Sequence, residues 1–160
     1  MDQVLVAYFS VSGNTKRVAE KLALAVNSAL FEIKPEIPYT KEDLNWMDKN
    51  SRSTIEMKNQ HIRPAIEKTE APVAGKTTIF LGFPIWWHQA PTIINTFLEK
   101  YDLSDKRIVP FATSGGGDMG VSVEKLKPSC AETTKWGHGV ILNGDDVEGK
   151  ISEWLKNLCK

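Results

Sequence analysis

The sequence predicts an α/β fold: a doubly wound, five-stranded parallel sheet in the order 2-1-3-4-5 with helices on both faces. Three observations carry this. Short apolar runs of strand length alternate along the chain with segments of helical periodicity. The first run passes into a helix through the hydroxyl-rich turn Ser10-Val11-Ser12-Gly13-Asn14-Thr15. The third and fourth runs each open into loops of unusual composition, Gly82-Phe83-Pro84-Ile85-Trp86-Trp87 and Thr113-Ser114-Gly115-Gly116-Gly117-Asp118. In a doubly wound sheet such loops gather at the carboxyl edge, beside the point where strand order reverses.

Taken in order, Gln3 to Phe9 is apolar nearly throughout, as a central parallel strand covered on both faces must be. Val18, Leu22, Ala25 and Val26 then mark a helix from about Thr15 to Ser28. The run Ala29 to Lys34 makes a second strand, ended by Pro35 and Pro38. From Tyr39 to about Pro72 the chain is polar and charged, and reads as a long crossover within the same domain. Asp43 to Met47 fits one helical turn. Ser53 to Glu67 fits a surface helix ending near Arg63-Pro64, with Ile55, Met57, Ile62 and Ile66 as core contacts.

Thr77 to Phe83 is the third strand. Pro91 suits the first turn of a helix reaching about Tyr101, buried through Ile93, Ile94, Phe97 and Leu98. Arg107 to Ala112 is the fourth strand, and Val121 to Lys127 a short helix stopped at Pro128. A fifth strand falls within Thr133 to Leu142, disturbed by Gly137 and Gly139. Asp145 or Asp146 caps a last helix to about Leu158. The whole of 1–160 is read as one domain.

Composition narrows the function classes. Twenty basic residues balance twenty acidic ones, so no cation excess marks a nucleic-acid surface. No stretch approaches a membrane span, and the N-terminus lacks the pattern of a signal peptide, so a cytoplasmic protein is expected. Cys130 and Cys159 have no metal-ligand or redox spacing. Gly75-Lys76-Thr77-Thr78 mimics the end of a P-loop, but Glu70 stands where that motif needs Gly, and the segment enters a strand. A receiver domain would need carboxylates at the ends of strands one and three, where Phe9-Ser10 and Phe83-Pro84 stand.

The first turn has the chemistry of an anion site. Amides at a helix start lack partners, and the helix dipole places partial positive charge there. Ser10, Ser12 and Thr15 add hydroxyls, while Gly13 and Asn14 tolerate the positive φ that curls amides around a phosphate. The indoles of Trp86 and Trp87 offer broad apolar faces beside it, suited to a flat heterocycle. The glycines after Thr113 present backbone close to a ligand.

Together these segments resemble the flavodoxin family, most nearly a bacterial subgroup with Tyr8-Phe9-Ser10, Ser12-Gly13-Asn14-Thr15, Gly82-x-Pro84-Ile85-Trp86-Trp87 and Thr113-Ser114-Gly115-Gly116. The resemblance implies flavin mononucleotide (FMN) as cofactor, its phosphate held by Ser10, Ser12, Gly13, Asn14 and Thr15. Pro84, Ile85, Trp86 and Trp87 would line the ring, and Thr113, Ser114, Gly115 and Gly116 would bond its pyrimidine edge. It implies electron transfer with partner proteins, a reductase and an acceptor, and no catalytic or metal-ligating side chain. The alternative is an FMN-dependent NAD(P)H reductase of quinones or nitro compounds. Two departures bear on this. Met119-Gly120-Val121-Ser122 carries no aromatic where flavodoxins usually have one, and His88 stands where a Gly commonly follows the Trp.

Overall fold

Strands β1 (Val4–Tyr8), β2 (Ala29–Glu32), β3 (Thr78–Pro84) and β4 (Arg107–Thr113) lie side by side in the order β2-β1-β3-β4, all parallel. The computed structural model describes residues 3–114, 119–142 and 146–158. Two further pieces, β5 (Lys135–Trp136) and β6 (Val140–Ile141), both pair with β4 at the far edge. The expected order 2-1-3-4-5 is therefore observed, with its fifth position broken in two. The break falls beside Pro110, within β4. Ile108 and Ala112 offer their carbonyls to Gly137 and Leu142 on that edge, and Pro110, midway between them, has no N–H to offer it.

Alternation along the strands builds two cores. Leu5 and Ala7 of β1, with Ile79, Leu81 and Phe83 of β3, pack under helix α3 (Thr92–Lys100) through Ile93, Ile94, Phe97 and Leu98. Val6, Tyr8, Phe80, Val109 and Phe111 point the other way. They meet Val18 and Leu22 of α1 (Asn14–Val26), and Val147, Ile151 and Trp154 of α5 (Val147–Leu158). Each such side chain removed from water contributes about 1.5–3 kcal/mol, so the two faces fix the strand register. Helix α1 ends at Val26 because Asn27 turns left-handed at φ 52° and gives its N–H back to the last turn. Asp146 accepts the Gly149 N–H at 3.2 Å and so caps α5, while the rival Asp145 lies outside the described residues.

The crossover departs from expectation. Helix α2 covers only Arg52–Lys58, shorter than the expected span to Arg63-Pro64. Ser51 caps its start through the Thr54 amide. Asn59 stops it, because its side-chain oxygen accepts the His61 N–H in a competing local turn. Ile55, expected in the core, is 47% exposed, whereas Met57, also expected there, is buried on one face with Ser53, Thr54 and Glu56. Residues 119–129 carry a short helix α4 (Ser122–Leu126) that runs into a 3-10 turn, Lys127–Ser129. Among the described residues no helix is long and apolar enough to cross a membrane.

Candidate functional site

The carboxyl ends of β1, β3 and β4 are stitched together. The Phe9 amide donates to the Gly82 carbonyl at 3.0 Å, and the Ile85 amide to the Thr113 carbonyl at 2.9 Å. Pro84 lies in register with Thr113. Thr15 and Thr113, both buried, share a hydroxyl–hydroxyl bond of 2.8 Å. Two of the residues expected to touch a ligand thus also tie the first turn to the fourth strand.

The first turn has the form of an anion cradle. Gly13 sits at φ 93° in the left-handed region, where a side chain would be strained. Its own amide donates to Ser10 Oγ at 3.1 Å, and it offers no side chain to cap α1. Ser12, Gly13 and Asn14 are exposed. The first turn of α1 holds no acidic residue and carries Lys16 and Arg17 instead. Two cations at the positive end of a helix dipole are unfavourably placed unless an anion joins them.

The loop after β3 is strained where it projects. Trp87 and His88 both have positive φ, 50° and 64°, a conformation non-glycine residues adopt at a cost of about 1–3 kcal/mol each. Trp86 and Gln89 bracket them with paired backbone bonds of 2.9 and 3.1 Å, which makes a tight type I′ turn. The His88 carbonyl accepts the Val121 N–H at 3.1 Å. Gly120, at φ 54°, lies so close that an added Cβ would stand 2.1 Å from that carbonyl oxygen. The loop after β4 is thereby docked onto the loop after β3. Gly115 and Gly116, expected in the site, lie outside the described residues; Ser114 is half-buried beside them.

Trp86 is half-buried, its ring held edge-on by Phe9 (5.9 Å, 80°) and by Tyr39 (5.6 Å, 72°). Trp87 is 43% exposed. Beside them opens a cavity of about 350 Å³, lined by Val11, Ile85, Trp86 and Trp87 together with Leu44, Trp46 and Ser53. The last three come from the crossover, which the sequence had offered only as a connection. Its clue was available: two aromatics, Tyr39 and Trp46, in a polar stretch longer than a crossover needs.

A buried polar network shapes that wall. Tyr39 donates its phenol to Glu56 Oε1 at 2.5 Å, and Arg52 Nε donates to Glu56 Oε2 at 2.9 Å. The Arg52 guanidinium lies 3.8 Å over the Tyr39 ring and donates to the Ile37 carbonyl. Burial, then the bond to Glu56, pushes the Tyr39 phenol well above its ordinary range, so it remains a neutral donor. Ser53 gives its amide to the Asp43 carbonyl at 2.9 Å. Its hydroxyl is buried and has no hydrogen-bond partner among the described residues.

Burial, and to a lesser degree Glu99, pushes the Cys130 thiol up to about 11, so it carries no thiolate at neutral pH. Among the described residues no cluster of His, Cys, Asp and Glu could hold a metal ion. The rim brings together the exposed turn at the start of α1 and an aromatic-walled cavity beside it.

A family model described as Flavodoxin matches residues 3–158. A candidate flavoprotein from Bacteroides eggerthii is 44% identical, with a TM-score of 0.91 over 100% of this chain and 99% of that one. Another from Bacteroides uniformis is 42% identical, with a TM-score of 0.90 over 97% and 98%. A flavoprotein from Lactobacillus acidophilus, solved in complex with FMN, shares the fold at a TM-score of 0.71 and 20% identity, over 97% and 99%. No functionally curated protein matches the sequence.

Proposed function

The chain belongs to the flavodoxin family, and from that premise we propose that it binds FMN non-covalently at the carboxyl edge of the sheet and carries electrons between protein partners, a reductase and an acceptor. When bound, the flavin supplies one- and two-electron redox chemistry. The protein's part is to hold and tune it. The amides at the start of α1, with Ser10, Ser12, Asn14 and the Gly13 turn, would take the phosphate. Trp86, fixed edge-on by Phe9 and Tyr39, would supply a rigid apolar wall for the ring, with Pro84, Ile85 and Trp87 at its margin. Main-chain groups from Thr113 to Gly116 would bond the pyrimidine edge.

The observation that carries this reading is the uncapped start of α1. A left-handed Gly13, the exposed Ser12 hydroxyl, no acidic residue and two cations in the first turn give this helix start the character of an anion site. The chain purified from cells should show the visible absorption of bound flavin, and reduction should proceed in two resolvable one-electron stages. Gly13→Asp should weaken FMN binding by about 100-fold or more, because it sets a carboxylate against a phosphate. The fold should persist at a cost of about 1–2 kcal/mol, since the added Cβ meets nothing within 4 Å but sits at φ 93°. Unchanged FMN affinity in that variant would remove the phosphate assignment. Steady NAD(P)H oxidation with a quinone and no second protein would replace the carrier with a reductase.

A further inference from the structure

We propose that the crossover segment 39–58 is a fourth cofactor-contacting segment, in which Trp46 supplies the second aromatic wall of the flavin ring and Ser53 a hydrogen bond to one of its heteroatoms. The inference rests on the reading of the previous subsection. Trp46, Leu44 and Ser53 line one cavity with Trp86, Trp87, Ile85 and Val11. That cavity therefore joins the crossover to the loops after β1 and β3. Among the described residues no charged side chain lines it, which suits an uncharged heterocycle. Two of its lining groups stand out: the Trp46 side chain, 69% exposed, and the Ser53 hydroxyl, buried on a residue only 1% exposed and without a hydrogen-bond partner among the described residues.

The orphan hydroxyl is the sharper of the two. Leaving a buried hydroxyl unpaired is unfavourable, and alanine at position 53 would avoid that cost. A ligand atom in the cavity supplies the missing partner. The segment is also held more firmly than a connection requires. Glu56 is buried and sustained by Tyr39 and Arg52, and Thr40 and Asp43 cap each other reciprocally at 2.9 and 3.1 Å. A carboxylate is costly to bury, and here the network anchors the segment whose Ser53 and Trp46 line the cavity. The placement answers the missing aromatic after β4, where Met119 to Ser122 offers none. The indole arrives from a different element.

The test is titration of the flavin-stripped protein with FMN and with riboflavin, which has the ring without the phosphate, following flavin fluorescence. Trp46→Ala should weaken both ligands by about 10-fold and leave the bound flavin more fluorescent, as loss of one stacking partner requires. Ser53→Ala should weaken both by about 3- to 10-fold, the loss of one hydrogen bond. Trp46→Phe should recover most of the affinity, and Leu24→Ala, at an exposed site on α1, should change nothing. Because Trp46 is mostly exposed, its truncation leaves the core intact, and far-UV circular dichroism checks this. Wild-type affinity and fluorescence in both Trp46→Ala and Ser53→Ala would overturn the proposal while leaving FMN binding standing. If the unaltered chain takes up neither flavin, the parent reading falls and this one with it.

Discussion

The turn from Ser10 to Thr15 and the segment from Tyr39 to Lys58 border the same end of the sheet, yet they are built in opposite ways. The turn is largely exposed and uses local bonds, such as Ser10 Oγ to the Gly13 amide three positions on. The groups it offers are backbone amides, and one left-handed glycine at a helix start is enough to present them. The segment is built from distant partners: Tyr39 meets Glu56 seventeen positions away, and Arg52 meets the Ile37 carbonyl fifteen away. Backbone geometry can make an anion site within six residues. An apolar wall made from irregular chain needs tertiary bonds to keep its place.

Removing one of those tertiary bonds should therefore cost more than any change in the turns. Arg52→Ala leaves the buried Glu56 carboxylate without its cation and should lower stability by about 2–3 kcal/mol, below the range for fully buried pairs because Arg52 is partly solvated. Urea denaturation should show a lower midpoint with an unchanged slope. Adding Glu56→Gln to that variant should recover part of the loss, since a neutral amide no longer needs the cation. Full stability in Arg52→Ala would mean the segment is held by packing alone.

Next in size is Gly120→Ala. Its Cβ would collide with the His88 carbonyl oxygen and would carry a positive φ, so a loss of about 2 kcal/mol is expected. FMN binding should weaken as well, because the turn bearing Trp87 has to shift. An affinity equal to that of the unaltered chain would separate the two loops functionally. The smallest effect is a gain. His88→Gly relieves the second positive-φ position of the type I′ turn and should stabilise the fold by about 0.5–1 kcal/mol. Loss of stability there would show that the His88 side chain makes contacts worth more than the strain.

The first turn was legible because its signal is local. Ser10, Gly13 and Asn14 sit between an apolar run and a periodic one, and those residue types have few other uses there. The β1–β3–β4 rim was legible for a similar reason, since strand order follows from alternation with helices. The breaking of the fifth strand was anticipated from Gly137 and Gly139; the part played by Pro110, on the neighbouring strand, came into view only with the register. Helix α2 was misjudged in length because apolar spacing at Ile55, Met57, Ile62 and Ile66 outweighed Asn59, whose side chain captures a backbone amide locally.

The sequence alone determined the sheet, its two buried faces and the glycine turn that opens α1, because periodicity and glycine chemistry act over a few residues. Tertiary structure alone decided that Trp46 and Ser53 line a cavity with Trp86, and that Thr15 bonds Thr113 across the rim. Such contacts join residues whose separation along the chain carries no pattern, and they exist only once both cores have closed and brought the strand ends within a hydrogen bond of one another.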